Sequence, residues 1–361
     1  MLRGMNAPVR QGIPLRPDPG AMRRAAVRSL SRACIAVARG RGYASDAAET
    51  VRKQWPDDHF AWAVVRASTA PSDTNTASAL VRTLLPQFFE ALGPASAAAQ
   101  LLGQGLVLSF GDAGAISLPA LVADPTKVTF VGEGAPIPVQ QFAIEAPKVL
   151  RPQKLAVVVT LSREMVESSN AEALITDVLT RSTALGLDAM LFDANAGTTT
   201  RPAGLRNGIA ALTASAAPNA SDAMIADIDQ LLASVAPVTS EPPVLIMAWH
   251  RAISANLRAA HTLDPLTVLG SAALADKDVI CVAPNTLVSA NGDGPTFENV
   301  RDALLNLETS PLQIASGSPA VIATPTRSLW QTDAVGIKLR IGMTWALRDP
   351  RGLAWLTATN W

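Results

Sequence analysis

The sequence predicts an α+β fold, on three observations. The apolar run Lys154-Leu-Ala-Val-Val-Val-Thr-Leu161 reads as a buried strand. A capped helix follows it, from Ser169 to about Asp193. Further strand signals come late, at 244–248, 279–282, 321–323 and 329–343, and they do not alternate regularly with helices.

Each element has a local reason. Residues 1–20 are rich in Pro and Gly and carry no helical pattern. Ala21 to Gly40 reads as a basic helix with Val27, Leu30, Ile35 and Val37 as its apolar residues, and Ser45 to Gln54 as a second helix opening at Ser45 or Asp46. The small and polar stretch 67–78 is a linker by composition. Leu80, Val81, Leu84, Leu85, Phe88, Phe89 and Leu92 recur at helical spacing around a weakening Pro86. Strands at 106–110 and 115–118 flank the turn Gly111-Asp-Ala-Gly114.

Thr129-Phe-Val-Gly-Glu-Gly-Ala-Pro-Ile-Pro-Val139 comes next. Gly132 and Gly134 permit positive φ, while Pro136 and Pro138 fix φ and remove donors, so this loop is bent and stiff. With a return strand at 142–146, residues 118–153 form a long two-stranded projection. That is far longer than an ordinary connection, and long loops in compact proteins generally have a task. Ser169 and Glu172 make a capping box for the long helix, each side chain satisfying an orphan amide. Leu174, Ile175, Val178, Leu185, Ala189 and Phe192 are its expected apolar face. Helices follow at 221–235 and about 250–260, and Asn291-Gly-Asp-Gly294 is a turn. Trp345, Trp355 and Trp361 read as core or interface anchors.

Residue chemistry excludes more than it offers. Three histidines are present, His59, His250 and His261, and none has a metal-binding or triad companion at a recognised spacing. Gly103-Gln-Gly105 and Gly132-Glu-Gly134 begin like phosphate loops but lack the third glycine and the Lys-Ser/Thr pair. Glu164 and Glu167 pair across one helical turn, as on a solvated face. Cys34 and Cys281 stand far apart, which fits a reduced compartment. No catalytic, cofactor-binding or metal-ligating set is predicted. The enzyme reading, a basic leader followed by a cleft lined by His250 or His261, rests on no positive feature.

Composition adds an assembly hint. Of 361 residues, 48% are apolar and only 17% charged, which suits surfaces hidden against other copies. Net charge is zero, yet residues 1–75 hold twelve Lys/Arg against six Asp/Glu. Such an arm can touch nucleic acid non-specifically or dock on its own acidic body. The Arg-rich first 45 residues are similar in composition to a mitochondrial transit peptide, but Pro14, Pro17, Pro19 and Gly20 interrupt the helix one would need. No apolar run approaches the roughly 20 residues that span a bilayer.

Phe130-Val-Gly-Glu-Gly-Ala-Pro-Ile-Pro138, Lys154 to Glu164, Asp188 to Asp193, Pro202-Ala-Gly204 and Gln331-Thr-Asp-Ala-Val-Gly-Ile-Lys-Leu-Arg340 with Trp345 and Ala354-Trp355 occur in that order. Together they resemble the tailed-phage major capsid proteins of the Hong Kong 97-type fold, over roughly 79–361. The resemblance implies a basic helical N-terminal segment at 1–66, scaffolding-like or cleavable, then a linker and N-terminal arm at 67–117. It implies an extended loop at 118–153, a peripheral domain with its spine helix at 154–214 and 326–361, and an axial domain at 215–325. Gly132, Glu133, Gly134, Pro136 and Pro138 would shape the loop for assembly. The implied function is a structural subunit that self-assembles through pentamers and hexamers into an icosahedral phage or prophage-derived capsid around double-stranded DNA. The implied location is the virion, after assembly in the host bacterial cytoplasm. The implied partners are other copies, a portal, a prohead protease and packaged DNA, with no membrane and no cofactor. An encapsulin-like nanocompartment shell is the alternative.

Overall fold

The computed structural model describes residues 44–59, 92–110, 114–118, 130–131, 148–167, 171–258, 266–292, 296–305, 315–316, 321–322 and 327–361, with shorter pieces within 28–40 and 61–65. Its helices are α1 (Ala44–Gln54), α2 (Ala97–Gln104), α3 (Arg163–Glu167), α4 (Ala171–Leu191), α5 (Ala220–Val235) and α6 (Trp249–Arg258). Its longer strands are β1 (Leu106–Ser109), β2 (Ile116–Leu118), β3 (Lys148–Leu150), β4 (Gln153–Ser162), β5 (Val244–Ala248), β6 (Thr267–Ser271), β7 (Val279–Val282), β8 (Leu287–Asn291), β9 (Thr296–Val300), β14 (Ala334–Leu347) and β15 (Leu353–Leu356). Four two-residue strands, β10 (Leu304–Leu305), β11 (Ala315–Ser316), β12 (Val321–Ile322) and β13 (Arg327–Ser328), form two short ladders, β10 with β13 and β11 with β12, in the chain between β9 and β14.

The strand β14 is the spine of the larger sheet. One edge pairs antiparallel with β4, from Ala334 opposite Ser162 to Met343 opposite Gln153. The other edge is shared, with β9 along Gly336–Arg340 and β8 along Met343–Leu347. Parallel β1 completes the sheet beyond β8. A second sheet has the order β15-β7-β5-β6 and mixes parallel with antiparallel neighbours. Alternate residues of its strands face two cores. Val244, Ile246, Ile280 and Val282 join the main core with β4, β14 and α4, while Leu245, Met247, Val279 and Cys281 pack under α5 and α6. Every residue of β5 and β7 is buried, which is why their sequences are unbroken apolar runs.

Strand pairing crosses the boundaries drawn from the sequence. The β8 and β9 strands, from the 215–325 stretch, ladder onto β14 from the 326–361 stretch, and β15 crosses the other way to β7. The strands on either side of Gly111–Gly114 also part company. The β1 strand runs with β8, and β2 pairs with β3.

Two expectations are corrected. The run in β4 is not buried on both faces, because the core packs on one side of this strand only. Leu155, Val157 and Val159 pack on the core, and Val158 is exposed on the other face. Among the described side chains of α4 the buried ones are Thr183, Ala184, Leu187, Asp188 and Leu191, whereas Val178, Leu185 and Ala189 face outward; Phe192, just past the helix, is buried as expected, and the side chains of Leu174 and Ile175 lie outside the described residues. The expected face was rotated because the true one contains a carboxylate, which no search for apolar residues would select.

The basic N-terminal segment docks on its own body. Ile35, Ala36, Val37, Ala38, Ala47, Val51, Ala61, Val64 and Val65 belong to the main core. Residues 35–39 are helical, and this helix ends against β9. Asn299 Nδ2 donates to Val37 O, and Arg301 Nη2 to Ala38 O at 2.8 Å, so the last carbonyls find donors. Arg39 Nη2 donates to Val166 O in α3 at 3.0 Å, and Arg32 pairs with Asp58 at 3.0 Å. Apolar burial and carbonyl capping hold the docked segment, rather than the charge contrast read from composition.

The end of α4 is fixed by a close backbone return. Leu205 N donates to Leu191 O at 2.8 Å and Arg206 N to Asp193 O at 3.2 Å. A Cβ on Gly204 would lie 2.2 Å from Asp193 O and 1.9 Å from Asp193 Oδ1. Gly204→Ala is therefore expected to push the return away from α4 and destabilise the subunit by about 2–3 kcal/mol, the usual cost of overpacking. Urea unfolding of disassembled subunits reads this as a lower midpoint with an unchanged slope.

Candidate assembly elements

The projection is rooted in the structure. The β2 and β3 strands pair antiparallel with Ile116 opposite Leu150 and Leu118 opposite Lys148. Leu118 and Leu150 sink into a small core with Phe110, Val288 and Ala290. The pairing brings Leu118 and Lys148, the two ends of the 119–147 stretch, side by side. Phe130 and Val131 are exposed within that span. Gly132, Glu133, Gly134, Pro136 and Pro138 lie outside the described residues. Ser169 does too, while Glu172 stands in the first turn of α4.

A buried carboxylate ties the spine helix to both neighbours. Asp188, 2% exposed, projects from α4 toward the N-terminus of α2. Its Oδ1 accepts from Ser96 Oγ at 2.5 Å and from Ala98 N at 3.0 Å. Its Oδ2 accepts from Ser271 Oγ at 2.6 Å and from Ala97 N at 3.4 Å. Ser96 caps α2 in turn, accepting from Ala99 N at 3.0 Å. An anion at a helix N-terminus meets orphan amides and the positive end of the helix dipole. One side chain thus joins α4, α2 and β6. Sequence reading missed it. The available signal was an Asp interrupting the apolar period of a helix, matched by a Ser preceding the alanine run 97–99.

A second junction gathers the segment after α4. Arg206 Nε donates to Phe192 O at 2.6 Å, its Nη1 pairs with Asp278 at 2.7 Å, and its guanidinium lies 4.8 Å from the Trp355 ring centre. Trp355 Nε1 donates to Ile209 O, and Trp345 Nε1 to Ala203 O, both at 2.9 Å. Trp361 Nε1 donates to Asp227 Oδ2 of α5 at 2.8 Å. All three tryptophans serve as core anchors with satisfied N–H groups.

The residues weighed for chemistry lie apart. His250 pairs with Asp276 at an exposed position. His261 is outside the described residues, and His59 is exposed. Gly105 closes α2, where a Cβ would come within 2.7 Å of Leu287 O, so this glycine serves a close approach to β8. The Cys281 thiol is buried, and burial pushes its pKa up to about 12, far from a nucleophile's range. Among the described residues no group of three or more His, Cys, Asp or Glu is placed to hold a metal, and no helix is long and apolar enough to cross a membrane.

A long spine helix, a sheet built on the long strand β14 and a second, helix-covered four-stranded sheet have the Hong Kong 97-type fold. No protein-family model matches the chain. The capsid polyprotein of Pseudomonas phage PAJU2 is 27% identical over 258 residues, which is 64% of this chain and 37% of that protein. The chain thus spans little more than a third of that relative. A solved structure from Mycobacterium phage Bobi aligns with a TM-score of 0.51 at 14% identity, covering 71% of this chain and 89% of that one. The holo-SrpI encapsulin complex from Synechococcus elongatus PCC 7942 aligns with a TM-score of 0.45 at 12% identity, covering 74% and 89%.

Removing the Asp188 carboxylate strands two amides and two hydroxyls in the core. Asp188→Ala is expected to cost about 3 kcal/mol or more, and Asp188→Asn less, since the amide keeps one acceptor. Denaturation of disassembled subunits tests that order.

Proposed function

We propose that this chain is the shell subunit of a tailed-phage or prophage-derived capsid. Copies associate through pentamers and hexamers into a closed icosahedral shell around double-stranded DNA. The observation that carries this reading is the likeness to a phage capsid polyprotein over 258 residues, on a chain with the capsid fold.

The mechanism is self-association. Different faces of one subunit meet the next copy, so contacts are heterologous and close into rings. The 118–153 loop reaches from its β2–β3 stalk over a neighbour. If residues 119–147 fold back on themselves, each arm of about 14 residues has a maximum reach of roughly 45–50 Å. The 154–214 and 326–361 stretches form the peripheral region along α4, and 215–325 the axial region. Residues 1–66 are a docked, cleavable segment and 67–117 its linker and arm. A portal and a prohead protease are the further partners, packaged DNA is contacted non-specifically, and the product resides in the virion after assembly in the bacterial cytoplasm. The chain works as a building unit without catalysis.

Negative-stain microscopy of the expressed chain is the test. Closed particles of uniform size are expected, with nuclease-protected DNA in those from infected or induced cells. Particles filled with a protein cargo would favour the encapsulin-like alternative. A chain that stays monomeric at high concentration, with and without residues 1–66, and gives no particles ends the shell reading. Gly132→Val and Gly134→Val are expected to cut particle yield at least tenfold while leaving the circular dichroism of the subunit unchanged.

A further inference from the structure

The α6 helix carries an apolar stripe on its outward face. Trp249, Ile253 and Leu257 recur every four residues and are 50%, 57% and 71% exposed. The opposite face, Arg251, Ala252 and Ala255, is buried on the sheet. The stripe is held rigid at one end. Trp249 lies against the β6 backbone at Gly270, where a Cβ would fall 2.4 Å from the indole. Arg258, exposed, sits beside Leu257, and α6 contains no acid. The charged groups at its other end are His250 with its partner Asp276, and Lys277.

The neighbouring α5 presents the complement. Ile225 is 62% exposed, and the exposed Asp222 and Asp229 stand three residues before it and four after, on the same stripe. The α5 helix contains no basic residue, and its third acid, Asp227, is buried against Ser215 and Trp361. The two helices cover the same sheet face at opposite edges, α5 over β15 and β7, α6 over β5 and β6. At 1.5 Å per residue both stripes run about 10–12 Å, so they match in length.

We infer that α6 of one copy seats against α5 of the next. Trp249, Ile253 and Leu257 cover Ile225, and Arg258 approaches Asp222 or Asp229. This rests on the shell reading and names the surfaces by which the ring closes. Like stripes facing each other in parallel would bring Arg258 onto Arg258 or acid onto acid, and turned antiparallel they would make a two-fold contact that closes a dimer rather than a ring. Unlike stripes pair opposite charges and generate the head-to-tail contact that rings require. Three side chains supply only a fraction of the 1,200–2,000 Å² typical of a stable interface, so the stripe sets register within a larger contact.

Paired cysteines test the arrangement in a Cys34→Ser background, on assembled particles treated with a short bismaleimide. The double variant Ile225→Cys/Leu257→Cys is expected to give a ladder of covalent dimers to hexamers on a denaturing gel, and each single variant monomers. Separately, Arg258→Asp and Asp229→Arg should each lower particle yield at least fivefold and recover it when combined. Wild-type chains that form no particles would count against the shell reading itself. If wild-type and double-cysteine particles form but the double variant stays monomeric on the gel, or Leu257→Cys alone gives dimers, this pairing is wrong while the shell stands. Circular dichroism of each subunit checks that these exposed substitutions leave the fold intact.

Discussion

The architecture turns on one buried anion. Asp188 could not sit at 2% exposure without compensation, because an isolated carboxylate taken out of water costs many kcal/mol. The compensation comes from two different directions. The start of α2 supplies two amides and the Ser96 hydroxyl, and β6 supplies the Ser271 hydroxyl. The start of α2 holds Oδ1 closely but reaches Oδ2 only through Ala97 N at 3.4 Å, so the short bond to Oδ2, 2.6 Å, comes from β6. The helix α4 can therefore bury this face only when α2 and the second sheet are both in place. The hydrophobic terms around it, Leu187, Leu191, Leu101 and Leu102, tolerate small shifts. The hydrogen bonds do not, so Asp188 sets register where apolar packing would leave slack.

That register propagates. Fixing α4 fixes its last turn, and the Gly204 return brings Arg206 onto Phe192 O and Asp278 together. Asp278 precedes β7, and Trp355 of β15 covers the same guanidinium. Trp345 of β14 donates to Ala203 O in the same return, so the two sheets are coupled through the end of one helix as well as through the shared core. A shell subunit needs this stiffness. Contacts repeated around a ring close only if each copy presents its faces at the same angle, and a hinge between sheets would leave the ring open.

Sequence legibility followed the physics of each element. Strands β5 and β7 were readable because burial on both faces leaves no polar position to confuse the pattern. The α5 and α6 helices were readable from periodicity and sit within one or two residues of expectation. The β4 run was legible as a strand but not as one covered on a single face, since Val157-Val158-Val159 looks the same with one face or two covered. Partners were the least legible. Nothing local to 106–118 says that β1 runs with a strand 180 residues later while β2 pairs with 148–150. The buried face of α4 was misread for a specific reason. Asp188 counts as polar in any periodic search, although with four donors it behaves as interior. The order of weak motifs compensated. Asp188–Asp193, Pro202-Ala-Gly204 and Trp355, each uninformative alone, mark the two junctions that hold the spine helix.

The surface that remains is consistent with the proposed role in association. A catalytic centre converges polar groups into a concave, water-excluding place. Here the polar convergence, at Asp188 and at Arg206, is spent inside on holding elements together. What faces outward is Trp249, Ile253 and Leu257 in a line, Val178 and Leu185 on α4, and Trp330 at 76% exposure in the turn before β14. Several large side chains set at regular spacing on rigid helices cost solvation in a lone subunit, and nothing within the described chain covers them. The docked N-terminal segment covers other ground, against β9 and α3, where Arg39 is occupied, while Arg32 is paired with Asp58 within the segment. Acidic flanks on α5 and a basic flank on α6 are the ground on which a second copy of the same chain is proposed to cover these stripes.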